Sequence, residues 1–274
     1  MDIFLCINEK YVKFALITIV SVMENHRRGR VAFHVIGADI TAESKRKFAK
    51  LKKAYKNLAI DFAVPDLKNF AGFKNDDPNL GLETYIRFLI PDLYPKIDKG
   101  LYIDVDLIAT KNLAPLWNTN ITRHLGAGVR APRIDANIAH KANLGIAPKS
   151  LYINAGVMLM NLKKIRAEGV KEKLFDAALR YKKVIKNPSQ DPTNVVFEGR
   201  LVELAGKYNF TNVHRQKASR REINDAAVYH YTGAKKPWNH SFAWLHKLNI
   251  PGIRKPEYYL WHKYNRINER IQAE

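Results

Sequence analysis

The N-terminal part of the chain alternates short apolar runs with helical repeats, and no other feature constrains the fold as strongly. Asp2–Ile7 reads as a strand, Tyr11–Glu24 as a helix and Val31–Ile36 as a second strand. Thr41 is placed to cap a helix reaching Tyr55, and Leu58–Phe62 reads as a third strand. Strands separated by helical patterns are the signature of βαβ units, so the expected class is α/β with a mainly parallel twisted sheet flanked by helices. The first strand–helix turn, Asn8-Glu9-Lys10, has no glycine fingerprint, which argues against a dinucleotide cofactor.

Farther along, Leu101-Tyr-Ile103 reads as a buried strand, and Asp104-Val105-Asp106 follows at its end. In extended backbone, residues i and i+2 point the same way, so the two carboxylates can aim at one point. Converging carboxylates repel, and a hard divalent cation such as Mg²⁺ or Mn²⁺ resolves that repulsion with oxygen ligands. The alternative is a solvated turn, where aspartate is common. In open α/β sheets the ligand crevice forms outside the carboxyl ends of the strands, which is where this pair would lie.

A chain of 274 residues with 46% hydrophobic residues can bury a sizeable core. The lone Cys6 excludes an internal disulfide and a cysteine-rich zinc site, fits a reducing compartment, and reads as a small buried thiol. We expect no secretory leader, because Met1-Asp2 passes straight into a strand-like run. Phe14–Met23 is too short to span a bilayer and carries Thr18 and Ser21, so it is expected as a buried helix. The formal charge of +20 implies an anionic partner. Part of it, Lys45 to Lys53, reads as the solvated face of an amphipathic helix.

The remaining segments continue the pattern. Asn75–Gly81 is turn-rich and reads as a loop. Thr84–Ile90 is expected as a short helix stopped by Pro91, and Leu125–Val129 as a strand. Arg130–Pro148 looks polar and irregular, as a lid would. Ile153–Leu162 should contain a strand, Gly169–Ile185 a helix, and Val228–His230 a last strand.

Several motifs then fall in one order. Tyr85-Ile-Arg87 precedes the Asp pair. Tyr152-Ile-Asn154-Ala155-Gly156, Ser189-Gln190-Asp191-Pro-Thr-Asn194 and His230-Tyr-Thr-Gly233-Ala-Lys-Lys236-Pro-Trp238 follow it. Together they resemble family 8 of the retaining nucleotide-sugar glycosyltransferases, most closely its bacterial lipopolysaccharide galactosyl- and glucosyltransferases. The resemblance runs from Asp2 to about Trp238. It implies a single-domain nucleotide-sugar transferase fold of GT-A type over residues 1–238. It also implies metal-dependent transfer of galactose or glucose from a UDP-sugar to an oligosaccharide or lipid-linked surface glycan. Asp104, Asp106 and His230 would hold Mn²⁺ or Mg²⁺. Cys6, Asn8 and Tyr11 would meet uracil and ribose. Arg87, Val105, Asn154, Ala155, Gly233 and Lys236 would line the donor's sugar and diphosphate. Gln190 would lie near the anomeric carbon, a poor nucleophile beside a carboxylate, which favours attack and departure on one face. Asp191 stands beside it as a second catalytic candidate. The chain departs from the family at Ser189, where an Asp is common, and at Arg130, where some relatives place an acid. Asp191 could compensate for the first; Arg130 could meet an anionic ligand or face water.

Beyond Trp238 aromatics and cations interleave, from Phe242 to Arg266. Residues 239–274 are expected either to meet an anionic membrane surface or to pack on the domain. The location expected is cytoplasmic, with or without a peripheral hold on the inner face of the cytoplasmic membrane. Charge alone would also suit a nucleic-acid binder or metal-dependent nuclease, but it leaves the His-x-x-Gly-x-x-Lys spacing unexplained, so no nucleic-acid partner is expected. A catalytically silent glycan-binding protein on the same fold is the third reading, and the acidic pair, His230 and Lys236 argue against it.

Overall fold

The computed structural model describes residues 1–74, 81–234, 236–239 and 256–274. The expected loop residues Asn75–Leu80, Lys235, and the tail residues Phe242–Leu248 and Ile253–Lys255 lie outside the described residues. Ten strands are described: β1 Asp2–Cys6, β2 Val31–Ile36, β3 Leu58–Ala63, β4 Lys99–Ile103, β5 Leu107–Ala109, β6 Gly126–Arg130, β7 Ile153–Asn161, β8 Leu201–Leu204, β9 Phe210–Thr211 and β10 Val228–His230. Seven form one sheet in the order β3-β2-β1-β4-β7-β6-β8, and three form a small sheet in the order β5-β10-β9. β1 pairs in parallel with both β2 and β4, so the strand order reverses at β1 and β4. A crevice is expected outside the carboxyl ends at such a reversal.

One strand departs from the parallel pattern. β7 runs antiparallel to both of its neighbours, β4 and β6. Its first residues therefore lie beside the last residues of β4, with Val157 opposite Ile103. The Asp104 N–H donates to the Gly156 carbonyl at 2.8 Å, so the turn after β4 is clamped to the start of β7.

The helices form where capping and apolar spacing coincide. In α2, Ala42–Ala54, the Thr41 hydroxyl accepts from the Ser44 N–H at 3.1 Å, while Ser44, Phe48 and Leu51 form the buried stripe. The polar residues inside the apolar α1, Val12–Asn25, have a structural use. Thr18 Oγ1 donates to the Leu107 carbonyl at 2.9 Å, and Ser21 Oγ accepts from the Ala109 N–H at 2.9 Å. These bonds stitch α1 to β5, the strand that continues from Asp106.

Three expectations are corrected. Pro91 does not end the helix near Ile90: a 3₁₀ stretch, Leu82–Leu89, passes into one α turn, Ile90–Leu93, with the proline in its first turn, where no N–H partner is needed. The helix expected over Gly169–Ile185 stops at Arg180. Arg130–Pro148 is not irregular: it contains two short helices, Pro132–Asp135 and Ile138–Asn143. It is also tied down, because the buried Lys141 ammonium donates to the carbonyls of Pro148 at 2.8 Å and Ser150 at 2.5 Å and to Asp135 Oδ1 at 3.3 Å. That anchoring does not suit a lid.

The C-terminal helix, Pro256–Ala273, packs on α1 and α2. Tyr258, Trp261 and Tyr264 are buried there, and Asn25 Nδ2 donates to the Tyr264 hydroxyl at 2.8 Å. These tail aromatics thus pack on the domain. No helix among the described residues is long and apolar enough to cross a membrane.

Candidate active site

The acidic pair lies at the reversal of strand order. β4 ends at Ile103, and Asp104 and Asp106 follow before β5 begins. β10 pairs antiparallel with β5, setting His230 opposite Leu107, and the Tyr231 N–H donates to the Asp106 carbonyl at 2.9 Å. This returns the distant histidine to the pair: His230 Nε2 lies 3.0 Å from Asp106 Oδ1 and 3.7 Å from Asp104 Oδ2. One ligand atom from each of the three residues falls within 4.8 Å of the others.

These residues fit a divalent cation on a separate ground. A Cβ on Gly156 would lie 2.3 Å from His230 Cε1 and 2.5 Å from Asp104 Oδ2. The absence of a side chain at Gly156 thus leaves His230 and Asp104 free to sit side by side. Two oxygens and one imidazole nitrogen also form a donor set suited to Mn²⁺ and tolerant of Mg²⁺.

Each ligand is held from behind. Asp104 Oδ1 accepts from the Tyr102 hydroxyl at 2.6 Å and from Arg87 Nη2 at 3.1 Å. Burial pushes the Tyr102 phenol well above its ordinary pKa, so it remains a donor. The Arg87 guanidinium, itself buried, lies 4.1 Å from the Tyr102 ring centre and also donates to the Ala155 carbonyl at 2.9 Å. Arg87, expected on the donor, is here engaged in orienting Asp104 and the start of β7. Asp106 Oδ2 accepts from Lys236 Nζ at 2.6 Å. Burial alone would raise the pKa of Asp106, but the facing His230 and Lys236 outweigh it and hold the carboxyl far below its usual range. Burial would lower that of His230, and the two aspartates reverse the sign. The His230 Nδ1 atom lies 2.8 Å from Asn209 Oδ1, and Asn209 Nδ2 lies 2.8 Å from Asn154 Oδ1.

The remaining expected residues divide. Gln190 reaches the site edge: its Oε1 accepts from the Ala155 N–H at 3.1 Å, and its Nε2 donates to the Tyr152 hydroxyl at 3.2 Å. Asp191 does not join it. Its carboxylate is completely buried and accepts from the Tyr152 hydroxyl, from His140 Nε2 at 3.1 Å, and from the N–H groups of Lys186 and Asn187 at 2.8 and 3.0 Å. So buried, it is closed off from a sugar and does not stand in for an acid at 189, and it is linked to Gln190 through the Tyr152 hydroxyl. Ser189 is also buried, its hydroxyl paired with that of Thr84 at 2.8 Å. Arg130 meets two carboxylates of its own chain, Glu203 through two bonds at 2.8 and 2.7 Å and Asp135 through a third, so it is not free for an anionic ligand.

On the nucleoside side, burial pushes the Cys6 thiol up to about 12, which makes it a packing group. Asn8 Nδ2 donates to Glu83 Oε1 at 3.4 Å, while its Oδ1 is buried with no hydrogen-bond partner among the described residues. Tyr11 packs near Phe14, whose ring in turn lies 4.3 Å from that of Trp238. Gly233 has a φ of +79°, a left-handed conformation that suits glycine, and open space where a Cβ would stand. Sequence reasoning gave no role to Gly156, Asn209 or Tyr102. The Tyr102 position two residues before Asp104 was the only local signal, and Gly156 and Asn209 are recognisable only from the tertiary contacts.

The sequence matches the profile of Glycosyl transferase family 8 over residues 2–241. It is 28% identical over 248 residues to the lipopolysaccharide 1,2-glucosyltransferase of Escherichia coli, covering 85% of this chain and 71% of that protein. It is 29% identical over 239 residues to glycosyltransferase GlyA of Streptococcus pneumoniae serotype 4, covering 86% of this chain but only 32% of that longer protein. Its fold superposes on the crystal structure of galactosyltransferase LgtC in complex with donor and acceptor sugar analogs, with a TM-score of 0.84, 26% identity, and coverage of 97% of this chain and 96% of that one. With the profile match, the shared fold and the assembled acidic–histidine cluster all in place, the chain belongs to glycosyl transferase family 8.

Proposed function

We propose that this transferase moves a hexose, galactose or glucose, from a UDP-sugar to a saccharide acceptor of a surface glycan, with retention and with the help of a divalent cation. The observation that carries this reading is the convergence of Asp104, Asp106 and His230 in the crevice outside β1 and β4, with Lys236 beside them. The three residues would hold Mn²⁺ or Mg²⁺, which when bound supplies Lewis-acid neutralisation of the charge growing on a departing diphosphate.

The chain's own residues perform the rest. Lys236, held against Asp106, adds an ammonium for the diphosphate, and the glycine backbone at 233 lets N–H groups approach it. The half-buried Asn8 has an amide, able to donate and to accept, that suits the imide edge of uracil at the end of the nucleoside. Gln190 is held at both ends of its amide, so its remaining carbonyl lone pair has one orientation from which to steady positive charge at the anomeric carbon. Departure and attack then take place on one face. The carbon–phosphate oxygen bond breaks, the acceptor oxygen bonds to the same face, and its proton passes to the departing phosphate oxygen. This leaves no adduct on the enzyme, and trapping a glycosyl group on any side chain would overturn it.

The named activities of the E. coli and LgtC relatives support a hexose donor and a saccharide acceptor. Exposed cations on α2, such as Arg46 and Lys53, and on the C-terminal helix, such as Lys263 and Arg270, support a peripheral hold on an anionic membrane surface. The activity is tested by metal-dependent hydrolysis of UDP-galactose and UDP-glucose, abolished by Asp106→Asn. Turnover that survives EDTA would overturn the metal reading. Membrane contact is tested by flotation with anionic vesicles, which neutral vesicles should not support.

A further inference from the structure

The contacts behind His230 form a chain whose proton positions follow from its first member. The Gly156 N–H lies 3.0 Å from the Asn154 side-chain oxygen, and a backbone N–H can only donate. That fixes the Asn154 amide with its oxygen toward Gly156. The Asn209 atom facing this oxygen at 2.8 Å, and the Asn154 backbone carbonyl at 3.3 Å, must then be the NH₂ group, since both partners are acceptors. The Asn209 oxygen is thereby turned toward His230 Nδ1, 2.8 Å away. A carbonyl oxygen only accepts, so when a cation takes Nε2 the ring's proton resides on Nδ1. Each orientation is dictated by its neighbour, so none depends on which amide atom was labelled oxygen.

We infer that Asn209 is a positioning residue that holds His230 in its Nδ1–H tautomer and aims the Nε2 lone pair at the space between Asp104 and Asp106. Asn209 is fully buried, and it sits in the tight turn Gly206–Asn209 that leads into β9, away from the motifs that carry the family resemblance. Its amide meets the site at two points, the His230 imidazole and the Asn154 side chain, and the first of these bears directly on a cation ligand. The inference rests on the cation reading above and adds the residue that sets the protonation of the nitrogen ligand. A hydrogen-bonded partner behind a ligating histidine raises its basicity and fixes its ring, and removing one commonly costs 10–100-fold in metal affinity.

Two measurements test it. Mn²⁺ affinity is read by electron paramagnetic resonance of the free ion for the native chain and Asn209→Leu. Leucine removes the acceptor at similar volume and should weaken Mn²⁺ about 10–100-fold. Equal affinity in the two chains would overturn the inference. The second measurement needs no variant: ¹⁵N spectra of histidine-labelled native protein with Mg²⁺ at alkaline pH should show a protonated His230 Nδ1 and an unprotonated Nε2. A bare Nδ1, or a proton on Nε2, overturns it. A native chain that binds neither ion would refute the cation reading, and the inference with it, whereas ion binding with a bare Nδ1 refutes the inference alone.

Discussion

Gly156→Ala is the smallest change that tests the space at the centre of the site. The added methyl would stand 2.3 Å from His230 Cε1, 2.5 Å from Asp104 Oδ2 and 3.0 Å from Asn154 Oδ1. An ordinary carbon contact needs about 3.5–4.0 Å, so the imidazole must retreat by roughly 1 Å. It cannot retreat freely, because Asn209 holds its far side at 2.8 Å and β10 is paired on both edges. Metal ligands must stay within about 0.2 Å of their ideal distances, so a displacement of that size removes His230 from the coordination set. Overpacking of this kind also costs about 1–3 kcal/mol of stability. The expected result is a folded protein melting several degrees lower, with Mn²⁺ affinity down by at least about tenfold. Calorimetric titration of Mn²⁺ with UDP, alongside thermal melting with and without the ion, reads both. A Gly156→Ala protein that binds Mn²⁺ as tightly as the native chain would refute the proposal that this space holds the ion.

Three other outcomes are expected. Burial raises the pKa of Asp135, but Arg130, the Tyr152 N–H and Lys141 outweigh it and leave the pKa depressed. Its stabilisation is therefore present above the unfolded carboxyl value of about 3.9 and lost as pH falls through the lower folded value. Asp135→Asn should cost about 3 kcal/mol at neutral pH, because the buried Lys141 loses its carboxylate, and the difference from native should vanish in acid; melting across a pH series checks this. Gln190→Ala should lower kcat about 10²-fold or more with a smaller change in the donor KM, read from initial rates; a change confined to KM would deny it a transition-state role. Trp261→Ala should cost about 3–5 kcal/mol in urea unfolding, since that ring is buried against the domain; an unchanged midpoint would mean the C-terminal helix is dispensable to the fold.

Much of this was legible from local pattern. The strands and helices up to Ala63 are visible because period-2 and period-3.6 repeats survive in sequence, and the Thr41 cap is a local hydrogen bond. Asp104 and Asp106 were readable from their spacing at a strand end, although the chain bends at Val105 and Asp106 instead of staying extended as expected, and His230 because a family spacing follows it. What was not legible depends on contacts distant in sequence. The antiparallel entry of β7 leaves no mark in an apolar run, yet it sets Gly156 against the ligands. Arg130 reads as a free cation until Asp135 and Glu203 are folded around it. Asp191 reads as reactive beside Gln190, although a helix starting at Gln190 turns adjacent side chains in different directions. Pro91 reads as a stop when only helix interiors are considered, and as a first-turn residue once the preceding stretch is 3₁₀.

The most direct measurement is UDP binding to the native chain and to Asp106→Asn, by calorimetry, in Mn²⁺ and again in EDTA. Tight binding confined to the native chain in Mn²⁺ is the predicted result. Equal binding in EDTA, or an Asp106→Asn chain indistinguishable from native, would contradict the claim that two aspartates and a histidine hold the ion that grips the donor.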